Sequence, residues 1–197
     1  EEKALIYIEY FNEILEQENS EKVSKNDILL LSNNLDKWVI PKDTVKLYFI
    51  ADTQKDHWWW TIQAYTYGFK AHTVANGRAE TKQALKELMY GTYQDETGRS
   101  YRIDRCGIDR RGIVERTLEV DEFIMEVLSE TGELDFIYAT EGVAEITGNM
   151  MYRHKRIKKE LDGEEYEFKV ISISNLLAKN ELNNMIQRNI SKVIAVE

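Results

Sequence analysis

Asp52 and Asp109 are the residues of this chain whose type and setting point most directly to chemistry. Asp52 ends a short apolar run, VKLYFIAD (Val45 to Asp52), with the length and composition of a buried strand, and Asp109 ends YRIDRCGID (Tyr101 to Asp109), which reads as a short strand. A strand that stops on an aspartate delivers a carboxylate to the edge of a sheet. One such carboxylate is commonly a helix cap, and Asp109 stands where it can cap a helix starting near Ile113. Two carboxylates delivered to one point repel each other unless they share a proton or neutralise a cation, and an all-oxygen site favours Mg²⁺ or Mn²⁺. The chemistry therefore depends on whether the fold brings the two together.

The periodicity of the intervening residues supplies the elements. HWWWTIQAYTYG puts Trp58, Trp60, Ile62 and Ala64 on one face and Trp59, Thr61, Gln63 and Tyr65 on the other, the alternation of a strand. The alternate tryptophans are expected to be buried on both faces under flanking helices. Gly68 turns the chain into FKAHTVANG, a third strand closed by Asn76-Gly77. From Thr81, Ala84, Leu85, Leu88 and Met89 form a helical stripe that QDETG breaks. After the strand that ends on Asp109, Ile113, Thr117, Val120, Ile124 and Val127 mark a second helix, and LDFIYAT a further strand. MMYRHKRIKKELDGEEYEFKVISIS predicts a hairpin turned at Asp162-Gly163, and NLLAKNELNNMIQRN a helix capped by Ser174 or Asn175. The order βββαβαβ predicts an α/β fold with a mixed central sheet flanked by helices. Right-handed crossovers then place the first strand beside the fourth, so that Asp52 and Asp109 meet at one edge on backbones roughly 4.8 Å apart.

Composition removes whole classes of function. The formal net charge is -9, so attraction of a polyanion by the whole surface is excluded and any nucleic-acid contact must be local. Residues 1–43 carry ten acidic groups and five Lys, a net of -5, and end at the single proline, Pro41. Ile8, Phe11, Ile14 and Leu15 recur there at helical spacing, which predicts a helical appendage or connector, with a separate domain over 44–197. The chain opens on Glu1 and is read as part of a longer protein with further domains. Cys106 is the only cysteine, which excludes an internal disulfide and a cysteine-based zinc site. No apolar run is long enough to span a membrane and no export signal is present, so an intracellular setting without membrane contact is expected.

The topology and its strand-end motifs resemble those of the ribonuclease H-like nucleases. FIADTQKDHWWWTIQAYTYG looks like the opening strand and turn of the nuclease domain of phage large terminase subunits, in which an aspartate, one spacer and a Gln precede a hairpin carrying Trp and Gly. CGIDRRGIVERTLEVDEFI, FIYATEGVAEITG and LLAKNELNNMI resemble that family's later strands and Lys-containing helix, over roughly residues 45 to 190. The resemblance implies a metal-dependent endonuclease that cuts concatemeric double-stranded viral DNA during genome packaging, in the host cytoplasm. Its cofactors would be two Mg²⁺ or Mn²⁺ ions, with Asp52 bridging both and Asp109 holding one. Its partners would be DNA, a portal protein, a small terminase subunit and an ATPase domain of the same polypeptide. No G-x-x-x-x-G-K-[ST] string occurs in the 197 residues, so no ATPase activity is expected of them. The family's third metal ligand is not found; Asp135 and Glu141, flanking the fifth strand, are stand-ins, and a position beyond Glu197 is the alternative. Asp104 is read as structural, and His57 and His72 lie outside the expected site.

Candidate DNA contacts are the basic clusters. Arg110, Arg111 and Arg116 follow Asp109 closely, and RHKRIKK supplies Arg153, Lys155, Arg156, Lys158 and Lys159, which serve equally well as charge protection of an edge strand. Two other readings stand beside the terminase one: another ribonuclease H-like catalyst of the junction resolvase or transposase type, and a non-catalytic packaging scaffold that binds portal or motor partners.

Overall fold

The computed structural model describes residue 26 and residues 36–68, 70–111 and 114–194. The helical appendage expected before Pro41 falls almost wholly outside them. Alternation builds the centre of the molecule. In β2 (Thr44–Thr53), Leu47, Phe49, Ala51 and Thr53 are buried, while Tyr48, Ile50 and Asp52 point to the opposite face. β3 (Trp58–Thr66) and β4 (Ala71–Ala79) complete the expected meander, with Gly68 at φ +82° in the turn between them. β7 (Arg105–Asp109), β8 (Ile137–Val143), β9 (Tyr152–Leu161) and β10 (Glu164–Ser174) extend it into one seven-stranded sheet of order β4-β3-β2-β7-β8-β10-β9. β2 pairs antiparallel with β3 and parallel with β7, so the sheet is mixed and β2 is interior, as the order of elements requires. The β9–β10 hairpin turns at Asp162 and Gly163, both at positive φ as a type I′ turn demands.

Helix α1 (Lys82–Tyr90) is capped by Thr81, whose hydroxyl accepts from the Ala84 amide at 3.1 Å. Helix α2 (Val114–Thr131) buries Val120, Phe123, Ile124, Val127 and Leu128, and packs against β8, β9 and β10. Lys86 of α1 pairs with Glu126 and Glu130 of α2, which ties the two helices over the Leu47–Phe49–Ala51 face. Helix α3 (Asn175–Ile194) follows β10, with Ser174 as its cap through the Leu177 amide. None of the described helices is long and apolar enough to cross a membrane.

Four expectations are corrected. Asn76-Gly77 does not close the third strand: β4 runs on to Ala79, with Gly77 opposite Trp60. Glycine is needed there because a Cβ would lie 2.8 Å from Cζ2 of the buried Trp60 ring. Gly77→Ala is therefore expected to cost about 1–3 kcal/mol by overpacking, read as a lower urea midpoint with unchanged slope. QDETG does not simply break a helix. β5 (Thr92–Asp95) alternates with Tyr93 and Asp95 inward, and pairs with β6 (Ser100–Arg102) and with β1 (Val39–Ile40) in a separate three-stranded sheet. The run from Tyr101 to Asp109 is accordingly two strands, not one. The turn between β5 and β6 is held by Asp95, whose Oδ1 accepts from the Thr97 and Arg99 amides. Finally, Trp58 and Trp60 are buried at 2% and 8%, but Trp59 is 36% exposed, because α1 and α2 cover only its neighbours' face.

Candidate active site

The register of β2 with β7 pairs Ala51 with Ile108, which sets Asp52 beside Asp109 at the next step, on the same face and at the same edge. The strand ends are tied by Thr53, whose hydroxyl donates to the Asp109 carbonyl. Asp109 pairs in turn with Thr140 on β8, and the Arg110 amide donates to the Thr140 carbonyl at 2.9 Å. Two interior strands and their neighbour thus fix the positions of both carboxylates.

Both side chains are half-buried. Burial raises the Asp52 carboxyl above its usual range, opposed by a hydrogen bond from Gln54 Nε2 (2.6 Å) and by the nearby His57. Burial also pushes Asp109 up, to about 6, opposed by the Arg111 amide 3.5 Å from Oδ1 and assisted by the charges of Asp52 and Glu141. Among the described residues neither carboxylate has an ion-pair partner within 4.0 Å. Within that distance the described residues place no cation on either carboxylate, and the donor set of carboxylate oxygens suits a hard divalent cation. The residues present therefore fit such an ion. Among the described residues no group of three or more His, Cys, Asp and Glu side chains is placed to hold a metal.

The raised Asp109 carboxyl has a sign that can be tested. Its folded-state value of about 6 exceeds the ordinary 3.8, so its contribution to stability is present below the ordinary value and is lost as pH rises through about 6. Without metal, Asp109→Asn should therefore melt higher than wild type above neutrality, with the difference closing as the pH falls toward 4 in paired thermal scans. Divalent ions need the ionised carboxylate, so their affinity for wild type should rise over the same window.

Glu141 and Asp135 are placed elsewhere. Glu141 is adjacent to Thr140 in sequence but projects to the helix-covered face. There Ser172 donates to it at 2.6 Å, Lys155 pairs with it at 2.7 Å and Arg110 lies 3.5 Å away. Burial would raise its carboxyl, but the Lys155 and Ser172 hydrogen bonds and the charges of Lys155 and Arg111 outweigh that and hold it below the usual range. Asp135 precedes β8, at the opposite end of the strand from Thr140, and pairs with Lys169. Asp104 is structural: it accepts from the Leu47 amide at 2.9 Å and pairs with Lys46.

The basic residues divide into two groups. Arg110 makes a two-point contact with buried Asp121 (3.0 and 2.8 Å), and Lys159 approaches the same carboxylate at 3.5 Å. Arg116 lies 4.2 Å over the Trp58 ring and donates to the Gln54 carbonyl, holding the β2–β3 turn behind Asp52. Lys155, on Glu141, completes the inward group. Arg111 and Arg153 are exposed, as are Arg156 and Lys158, which pair with Glu167 and Glu165 across the edge hairpin. Gln54, His57 and Trp59 are the site neighbours that residue type alone does not reveal. Gln54 was visible only as part of the Asp-x-Gln motif. The influence of His57 and Trp59 comes from the tight turn that folds them back beside Asp52.

One comparison with known proteins bears on this arrangement. A family model described as terminase large subunit gpA, endonuclease domain, matches residues 12–193. No curated protein and no solved structure matches the chain.

Proposed function

The chain belongs to the endonuclease-domain family of the terminase large subunit gpA, and from that premise we propose that Asp52 and Asp109 are the cation-holding residues of its phosphodiester-cleaving centre. The family is one of nucleases acting in phage DNA packaging, so DNA is the substrate and the packaging machinery the setting. The finer reading is hydrolysis of concatemeric double-stranded DNA with two Mg²⁺ or Mn²⁺ ions, in concert with portal, small subunit and an ATPase domain. The observation that carries it is the pair of half-buried carboxylates at one edge of the central strands, which make no ion pair within 4.0 Å among the described residues.

Divalent ions held by Asp52 and Asp109 would supply charge neutralisation at the phosphate and make a water more acidic near neutral pH. The protein's own part is positional. Gln54 fixes the Asp52 carboxylate, the Thr53 hydroxyl locks the two strand ends, and Arg116 braces the turn between β2 and β3. We assign phosphate contacts to the exposed cations Arg111, Arg153, Arg156 and Lys158; the surface pairs that Arg156 and Lys158 make with Glu167 and Glu165 are weak enough to exchange for DNA. Arg110, Arg116, Lys155 and Lys159 instead act through the architecture. Residues 1–43 are proposed as the connector toward the ATPase domain.

Supercoiled plasmid incubated with the chain and Mn²⁺ tests the reading. Nicking and linearisation that EDTA abolishes are expected. Cutting confined to branched or end-specific substrates would favour the resolvase-like alternative, and a folded chain that cuts nothing would favour the scaffold.

A further inference from the structure

Trp59 lies in an interior strand, directly opposite Asp52 of β2 on one side and Arg78 of β4 on the other. Its neighbours in sequence carry the same side chain into the core, yet Trp59 stays 36% exposed on the face of the two carboxylates. An indole left in water forgoes much of the stabilisation that burying its large apolar surface brings. The ring is nevertheless held. The His57 ring meets it at 86° with centroids 5.4 Å apart, and His57 is itself tied through Nδ1 to Asp56 at 2.6 Å. Adjacent strands are about 4.8 Å apart, so a lateral row runs across the sheet from Arg78 to Trp59 to Asp52 to Asp109. Its members are a cation, an aromatic ring and two carboxylates. β4 is the edge strand of the sheet, so the cationic end of the row is open from the side. The Arg78 side chain is 45% exposed and pairs at 3.3 Å with Glu80, an exposed contact that a phosphate can displace at little cost.

We infer that Trp59 and Arg78 form a nucleotide subsite beside the cleavage centre, in which Trp59 stacks on an unpaired base next to the scissile phosphate and Arg78 neutralises the following phosphate. The substrate class rests on the nuclease reading. A base inside a duplex already has both faces stacked, so the subsite takes a frayed or single-stranded nucleotide, and sequence matters little because every base offers a π face. The lateral order fits this use. A strand with its phosphate at Asp52 and Asp109 passes over Trp59 before it reaches Arg78.

Binding of a short fluorescein-labelled single-stranded deoxyoligonucleotide, followed by anisotropy in EDTA, tests the subsite without any cutting. Trp59→Leu, which keeps apolar bulk but no π face, should weaken binding about tenfold, and Trp59→Phe should retain most of it. Arg78→Gln should lower the slope of log affinity against log salt by about 0.7. A Leu variant that binds like wild type, equal losses for Leu and Phe, or an unchanged salt slope for Arg78→Gln would overturn the subsite. Because the assay reads no cleavage, failure of the nuclease reading remains separate: it would show as a folded wild-type chain that cuts no plasmid in Mn²⁺.

Discussion

Asparagine at position 52 or 109 is expected to lower Mn²⁺-dependent plasmid cleavage by at least about a thousandfold, equivalent to about 4 kcal/mol of lost transition-state stabilisation at 1.36 kcal/mol per tenfold. The substitution preserves shape, so the loss reports charge. Both side chains sit half-buried at the ends of paired strands and make no ion pair among the described residues, so removing either charge breaks no salt bridge. The folded chain should survive, and at Asp109 it should gain stability without metal. Asp104→Asn is the control. It too removes a carboxylate close to β2 and β7, but one already engaged by Lys46 and the Leu47 amide. Its effect should fall on stability and leave Mn²⁺-dependent cutting by the folded fraction in place.

The largest effect on stability should come from Asp121. This carboxylate is 2% exposed and receives a two-point contact from Arg110 and a further approach from Lys159. Glu141, 4% exposed, shares Arg110 and binds Lys155. The four elements α2, β8, β9 and the exit of β7 are thus joined by ion pairs whose two carboxylates are almost wholly buried. Removing one member of a buried pair leaves the other uncompensated, so Asp121→Ala should cost about 3–5 kcal/mol in urea unfolding. By contrast, breaking the exposed Arg156–Glu167 pair should cost no more than about 1 kcal/mol. Since Arg110 directly follows Asp109, a milder Asp121→Asn variant should also loosen the cation site while the chain remains folded. Equal, small losses for Asp121→Ala and Glu167→Ala would contradict the assignment of the network.

The part of this arrangement that the residues themselves disclose follows from the physics of alternation and crossover. Val45 to Asp52 is apolar enough to be interior, the run from Tyr101 ends as a strand on Asp109, and a right-handed crossover leaves few ways to place the two other than side by side. Hence the pairing of Asp52 with Asp109 was readable, as was the turn at Asp162-Gly163. The small sheet was not. Its strands are short, and β1 pairs with β5 across more than fifty residues, a contact that no local pattern encodes. Asn76-Gly77 has the composition of a turn, but the Trp60 ring across the strand demands the glycine for space. The basic clusters gave a similar lesson. Periodicity separates Lys155 and Lys159 from Arg156 and Lys158, but it does not show that buried Glu141 and Asp121 lie beneath one row and not the other. Trp59 was misread for the complementary reason: the helices that bury Trp58 and Trp60 lie on a single face, which strand alternation alone does not specify.

The claim on which the functional account turns is that Asp52 and Asp109 together hold the catalytic cations. An anomalous-difference map from crystals soaked in Mn²⁺ above neutral pH tests it most directly. The account predicts density in contact with both carboxylates, lost in crystals of the Asp109→Asn protein. Density at Asp121 and Glu141 instead, or none at the ends of β2 and β7 in a well-ordered soaked crystal, would contradict it.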